Sequence, residues 1–515
     1  MAWLRSGQLH IFNVKSLRYD VDMKYPIRAA LLLAPALLTT PSWAVDKPAD
    51  AKDSLAALLP ADAVTKHHLT AGGHAIAYTA HAGTLTLRDD DGKPSAKVFY
   101  IAYTQDGANA ANRPVSFFFN GGPGAGTAYL NLGAAGPKTL QFPSDDSTDG
   151  ARAKLVDNPD TWLPATDMVF IDAVGTGYSK PLDPAKAAKA YYGVKQDASA
   201  FAKTIELWVG ANARQASPHY LVGESYGGIR SIQVANALQE QQNLIVNGIV
   251  MLSPAIEMSF LDDTDNPLSS AMALPTFIAA HLDETHQLSS QTIDDAYRYA
   301  LGPYLSTLAN TPPQGDAAHR FYAEIAQRTG IPEAIVAKER GALSAMAHDV
   351  RSRGGRLHGL YDFTQTIADP YPDGIENGNS PEMTLSGYGR AYGNAFSGYV
   401  ANELGFRTEL TYDLLSMKVN SAWNFGEPGT PLTQQIPVLR KLLALDPSLH
   451  VFIANGYFDM ACPFGTTRWT KDHIPVGADR VSLHLYPGGH MLYSRPASRA
   501  ALWHDVSAFY AGQKI

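Results

Sequence analysis

Leu221-Val222-Gly223-Glu224-Ser225-Tyr226-Gly227-Gly228 is a G-x-S-x-G stretch, preceded by a short apolar run and followed by a helical one at 229–241. A serine flanked this way predicts a very sharp strand-to-helix turn that holds the hydroxyl clear of the backbone. Gly223 and Gly227 leave room where a Cβ would clash. The helix N-terminus then sets a peptide N–H and the positive end of a dipole beside the serine oxygen. The plainer alternative is a tight turn whose serine caps the helix.

Outward from this turn, uninterrupted apolar runs at 115–119, 168–172, 220–222, 248–252, 450–454 and 481–486 predict strands buried on both faces. Helical stretches at 194–212, 227–241 and 496–510 alternate with them, which predicts an α/β sheet with helices on both sides. Before these, 76–78, 83–87 and 98–103 have strand character. Asp89-Asp90-Asp91-Gly92-Lys93 supplies a turn, so an antiparallel entry to the sheet is expected. Residues 45–65 have the composition of a loose leader. From 258 to 437 the strand–helix rhythm stops: helical pieces such as 332–348 and turn-rich ones such as 369–380 predict a mostly helical insertion. The expected organisation is 1–44 as an upstream extension and export signal, 45–257 and 438–515 as two parts of one core, and 258–437 as a cap.

A second glycine-rich turn, Asn120-Gly121-Gly122-Pro123-Gly124, ends the run Phe117-Phe118-Phe119. Two aimed N–H donors stabilise a tetrahedral intermediate; Tyr226, after the serine, would give one and this loop the other. A phosphate loop fits poorly, since no Lys-Ser/Thr follows the glycines. In the order Ser, Asp, His, the best-placed partners are Asp459, after the strand at 450–454, and His490, in Pro487-Gly488-Gly489-His490 after the strand at 481–486. Asp472 is a rival acid. His484 lies inside a strand, and His473 and His504 have no comparable loop setting.

Four blocks together resemble the serine carboxypeptidases: NGGPGAG at 120–126, IDAVGTGYS at 171–179, GESYGG at 223–228, and NGYFDMACPFGTTRW with GGHM at 455–469 and 488–491. The resemblance implies an α/β-hydrolase fold, with a mixed, mostly parallel central sheet flanked by helices and a mainly helical cap insertion. It implies Ser225, Asp459 and His490 as catalytic triad, Gly122 and Tyr226 as oxyanion donors, and Asn120 with Glu224 as the pair that binds the free carboxylate of a peptide's C-terminus. A glutamate facing a carboxylate is expected to hold a proton, because like charges at close range do not both ionise, so acidic pH should favour the reaction. Cys462 matches a free cysteine that lines the substrate pocket in some relatives; a small buried hydrophobe is the alternative. Ala125-Gly126-Thr127 replaces the usual Cys-Ser-Ser, Ala173-Val174 a Pro-containing pair, and Gly228 the usual Ala.

The chain of 515 residues is 45% hydrophobic and 17% charged, enough for a large core and an insertion. A formal charge of −8 gives no basic stripe for nucleic acid. The expected partners are peptides with a free C-terminus. No His-Glu metal motif appears, and no cofactor is expected. A basic start at 23–28, an apolar run at 29–38 and Ser42-Trp43-Ala44 predict an export signal cleaved after Ala44, and so a periplasmic or extracellular protein; a retained anchor is the alternative. With one cysteine, Cys462, no intrachain disulfide can form, which suits a bacterial member of the family. An esterase or acyltransferase with the same triad, or an inactive binding protein, are the rival functions.

Overall fold

The computed structural model describes residues 55–144, 147, 149–261, 266–373, 381–426 and 434–513. The expected export signal at 1–44 and most of the turn-rich stretch at 369–380 lie outside them.

A ten-stranded sheet forms the centre. Nine of its strands, in chain order, are β1 (Ala63–Ala71), β2 (His74–Arg88), β3 (Pro94–Gln105), β4 (Val115–Phe119), β5 (Asp167–Ile171), β6 (His219–Glu224), β7 (Gly248–Leu252), β8 (His450–Gly456) and β9 (Val481–Tyr486). Their spatial order is β1-β2-β3-β5-β4-β6-β7-β8-β9, and the short strand Lys180–Pro181 pairs with β3. The first three strands and the β3–β5 pair are antiparallel; from β5 to β9 every pairing is parallel. This is the mixed, mostly parallel sheet of an α/β-hydrolase.

The uninterrupted apolar runs split by period two into two cores. Phe118, Phe170, Val222, Val250 and Phe452 face one side, where Leu502 and Val506 of a C-terminal helix pack. Phe117, Phe119, Val169, Leu221, Ile249 and Val451 face the other, against Phe201, Ile205 and Trp208 of α1 (Val194–Ala211) and Ile232, Ala235 and Leu238 of α2 (Gly227–Gln242). A polar side chain at any of these positions would remove roughly 1.5–3 kcal/mol of burial free energy before its own desolvation is counted.

Three expectations need correction. β1 begins inside the stretch read as a loose leader; its outward residues Val64, Lys66 and His68 are exposed, as on an edge strand. β2 is one 15-residue strand, not two, because Ala80 and Ala82 carry the pairing with β3 through the gap. The helix expected at 332–348 is only Glu333–Lys338, closed by Arg340 and Gly341 at positive φ (52° and 84°). Between β7 and β8 the chain is otherwise mostly helical, including α3 (Pro267–Glu284), α4 (Ser290–Tyr299) and α5 (Met383–Asn402), with a small sheet of Ser352–Arg353, Arg356–His358 and Thr366–Ala368.

Candidate active site

β6 ends at Glu224 and α2 starts at Gly227, so Ser225 occupies the turn between them, at φ +62°. A non-glycine residue there costs roughly 1–3 kcal/mol and persists only where the surroundings hold it. They do: Ser225 N–H donates to the Leu252 carbonyl (3.1 Å), and its own carbonyl accepts from Gly228 (2.8 Å) and Ala255 (2.9 Å). A Cβ at Gly223 would lie 2.1 Å from the Gly227 carbonyl oxygen. At Gly228 it would lie 2.5 Å from Pro254 Cβ, which explains why this chain has glycine where alanine is usual.

The Gly-rich loop after β4 runs directly against this turn. A Cβ on Gly121 would stand 2.4 Å from Tyr226 N and 2.6 Å from the Glu224 carbonyl oxygen. Gly121→Ala should therefore push the loop off the Tyr226 N–H and lower kcat about 100-fold or more, with a measurable fall in Tm; kinetics beside a melting curve check this. Gly122 and Tyr226 line a narrow pocket together with Ser225, Met258, Leu261, Phe425 and Cys462. The IDAVGTGYS block serves as scaffold. Asp172 is fully buried and accepts from Thr127 N–H (2.8 Å), Thr127 Oγ1 (2.9 Å) and Tyr412 O–H (3.0 Å), tying the end of the glycine loop in place.

Asp459 and His490 come from the ends of β8 and β9. The two loops meet backbone to backbone: a Cβ on Gly456 would lie 2.1 Å from the Gly489 carbonyl oxygen, and Phe458 N–H donates to Gly488 (2.9 Å). His490 Nδ1 is 2.8 Å from Asp459 Oδ2, while Asp459 Oδ1 accepts from Ala461 and Cys462 N–H (2.9 Å each). The Tyr361 ring stands edge-on to the imidazole at 4.9 Å. Burial alone would lower the basicity of His490, but the Asp459 carboxylate outweighs it and holds the imidazole well above its usual range. The Cys462 thiol touches both His490 and Ser225. Among the described residues no hydrogen bond joins Ser225 directly to His490. Asp459, Cys462 and His490 have ligand atoms within 4.8 Å of one another. Asp459 already spends both oxygens on N–H groups, and burial pushes the thiol up, away from the thiolate a metal would need.

Beside the serine, Asn120 Nδ2 donates to Glu224 Oε1 (3.1 Å) and Tyr493 O–H donates to Oε2 (2.6 Å). Burial pushes the Glu224 carboxyl up to about 7, against the opposing pull of His490, Tyr493 and Asn120. The Asn120 carbonyl accepts from the Arg230 guanidinium, which pairs with Asp197 (2.6 Å) and lies over the Phe201 ring (4.9 Å). Tyr493, Arg230 and Asp197 are absent from the sequence-based set. Asp197 and Arg230 carried a signal there: opposite charges on the otherwise apolar faces of two neighbouring helices.

A model of the serine carboxypeptidase family matches residues 73–291, a span that holds Asn120, Gly122, Glu224, Ser225 and Tyr226 but neither Asp459 nor His490. Serine carboxypeptidase-like 36 of Arabidopsis thaliana is 25% identical over 179 residues, 33% of this chain and 34% of that protein. The pheromone-processing carboxypeptidase KEX1 of Saccharomyces cerevisiae is 31% identical over 105 residues, 19% of this chain and 13% of that protein. The matched region thus spans about a third or less of these relatives. Among solved structures, proline iminopeptidase of Mycobacterium smegmatis aligns at TM-score 0.34 and 15% identity, covering 84% of this chain and 98% of that one. A carboxyl esterase of Bacillus coagulans aligns at 0.34 and 10%, covering 84% and 99%. Over residues 73–291, and in its sequence blocks, the chain is similar to the serine carboxypeptidases.

Proposed function

We propose that this protein is a serine-type carboxypeptidase that releases amino acids one at a time from the free C-terminus of peptides. The observation that carries the reading is Glu224. It is a buried carboxyl next to the serine in sequence, bonded to Asn120 and pushed up to about 7, so it can hold a proton and donate it to a carboxylate. An esterase has no need of such a group.

In this reading Ser225 Oγ, turned from the Cys462 thiol toward His490, gives its proton to Nε2 and attacks the last peptide carbonyl. The N–H groups of Gly122 and Tyr226 bind the oxyanion. The imidazolium, oriented by Asp459, protonates the leaving amine. Water, deprotonated by His490, then breaks the acyl ester and restores Ser225. The pocket lined by Met258, Leu261, Phe425 and Cys462 offers an apolar wall to the substrate. Residues 258–437 would act as a cap over this cleft, with Met258 at its start. None of the helices among the described residues is long and apolar enough to cross a membrane, and we take the protein to be exported through its N-terminal signal.

The pH dependence follows with a definite sign. Glu224 must be protonated to grip the substrate carboxylate, so KM for a free-acid peptide should rise about tenfold between pH 6 and 8, with its midpoint near 7. His490 must be neutral to act as base, so kcat should fall as pH drops. Glu224→Gln keeps a neutral hydrogen-bonding group, and its KM should stay flat across that range. Steady-state kinetics on a blocked dipeptide and on its ethyl ester test the reading. The ester, which has no terminal carboxylate, should show the acid limb only; identical profiles for both substrates in the wild type would refute the clamp.

A further inference from the structure

We propose that Tyr493 is a positioning residue of the carboxylate clamp, its hydroxyl fixing the Glu224 carboxyl in the orientation that receives the substrate's terminus. The assignment rests on the clamp reading of Glu224. It stands on geometry that the triad does not use. The turn Leu492–Ser494 begins two residues after His490 and brings Tyr493 back beside the same cleft. The side chain is fully buried, and its O–H reaches Glu224 Oε2 at 2.6 Å. Asn120 holds the other oxygen at 3.1 Å. Glu224 is thus gripped at both oxygens, by two donors that come from either side of it in the sequence. The phenol ring has a slot made for it: a Cβ on Gly133 would lie 2.3 Å from Tyr493 Cε2 and 2.7 Å from the Tyr392 hydroxyl.

Other groups face Glu224. His490 and Asp459 act on it from the loops after β9 and β8, Asn120 from the loop after β4. Tyr129 lies close beyond that loop, and Tyr392 approaches from α5. Of these, Tyr493 and Asn120 hydrogen-bond to the carboxyl directly. Burial and the neighbouring Glu224 hold the Tyr493 phenol well above its ordinary range, so it stays a donor throughout the working pH range. An O–H donated to a carboxyl oxygen favours the ionised form. Tyr493 therefore has two effects of opposite sense. It orients the carboxyl, which tightens capture, and it favours ionisation, which lowers the pH at which capture fails.

Tyr493→Phe keeps the ring in its slot and removes only the hydroxyl. On the full chain with a blocked dipeptide, KM at pH 5 should rise about three- to tenfold with kcat within about twofold. The midpoint of the alkaline rise in KM should move up, by as much as about one pH unit. Kinetics on the matching ethyl ester should be unchanged. In a Glu224→Gln background the added Tyr493→Phe should leave the flat pH profile flat. A packing role would instead depress ester and acid hydrolysis together and leave the midpoint in place.

An unchanged KM and midpoint in Tyr493→Phe, in an enzyme whose wild type separates acid from ester, overturns the assignment alone. A wild type that treats acid and ester alike overturns the clamp reading and the assignment with it. Should Tyr493→Phe fail to fold, 3-fluorotyrosine placed at 493 supplies a stronger donor in nearly the same volume. The midpoint must then move down, and a fixed midpoint overturns the proposal.

Discussion

Ser225→Ala should lower kcat/KM for release of a C-terminal residue by about 10⁵–10⁶-fold and abolish labelling by a fluorophosphonate probe. The size of the effect follows from what remains. The Tyr226 and Gly122 N–H groups and the Glu224 clamp still bind and polarise the substrate, but no covalent path is left, and only attack by water continues. KM should change little, because the hydroxyl is small and sits at the strained turn rather than in the clamp. Stability should hold or rise slightly: the backbone at φ +62° is kept by hydrogen bonds to Leu252, Gly228 and Ala255 that alanine also makes. A Ser225→Ala protein that retains probe labelling would move the nucleophile elsewhere.

Asp459→Asn should cost about 10³–10⁴-fold in kcat with KM nearly unchanged, although it replaces only one oxygen. The reason lies in which oxygen is free. Oδ1 accepts two backbone N–H groups, from Ala461 and Cys462, and only an oxygen can take that place. The new amide nitrogen would therefore be forced toward His490 Nδ1, where Oδ2 now sits at 2.8 Å. An NH₂ group there donates to Nδ1, so the ring's own proton moves to Nε2, the nitrogen that must accept from Ser225. Single-turnover kinetics at the pH optimum, beside an unchanged melting temperature, test this. A loss below about tenfold would show that another group orients the imidazole.

Much of the fold was legible because its strands are covered on both faces. Phe117 and Phe118 both face apolar cores, so the run at 115–119 had no polar break to hide it. The edge strand β1 escaped for the opposite reason: its outward Val64, Lys66 and His68 are at least partly open to solvent, and the residual pattern resembles a polar leader. The helix expected at 332–348 ran too long because it was carried through Gly341, which with Arg340 turns left-handed and closes it. At the site, Ser225 and the glycine loop were readable because close backbone approach demands glycine at 121 and 223, and glycine is visible in a sequence. Tyr493 was not. Its partner Glu224 lies 269 residues away, and a tyrosine three positions after a histidine carries no signal of its own. The Asp197–Arg230 pair lies between these extremes: each charge breaks an apolar helical stripe, but their pairing across two helices leaves no mark in the sequence.

The most direct test of the account is mass spectrometry of a mixed peptide pool after digestion, run in parallel with the same peptides amidated at the C-terminus. The proposed chemistry predicts ladders that shorten by one residue at a time from the free C-terminus, fading as pH rises through 7, with the amidated set left intact or trimmed far more slowly. Cleavage at internal bonds, shortening from the N-terminus, or equal trimming of both sets would contradict it.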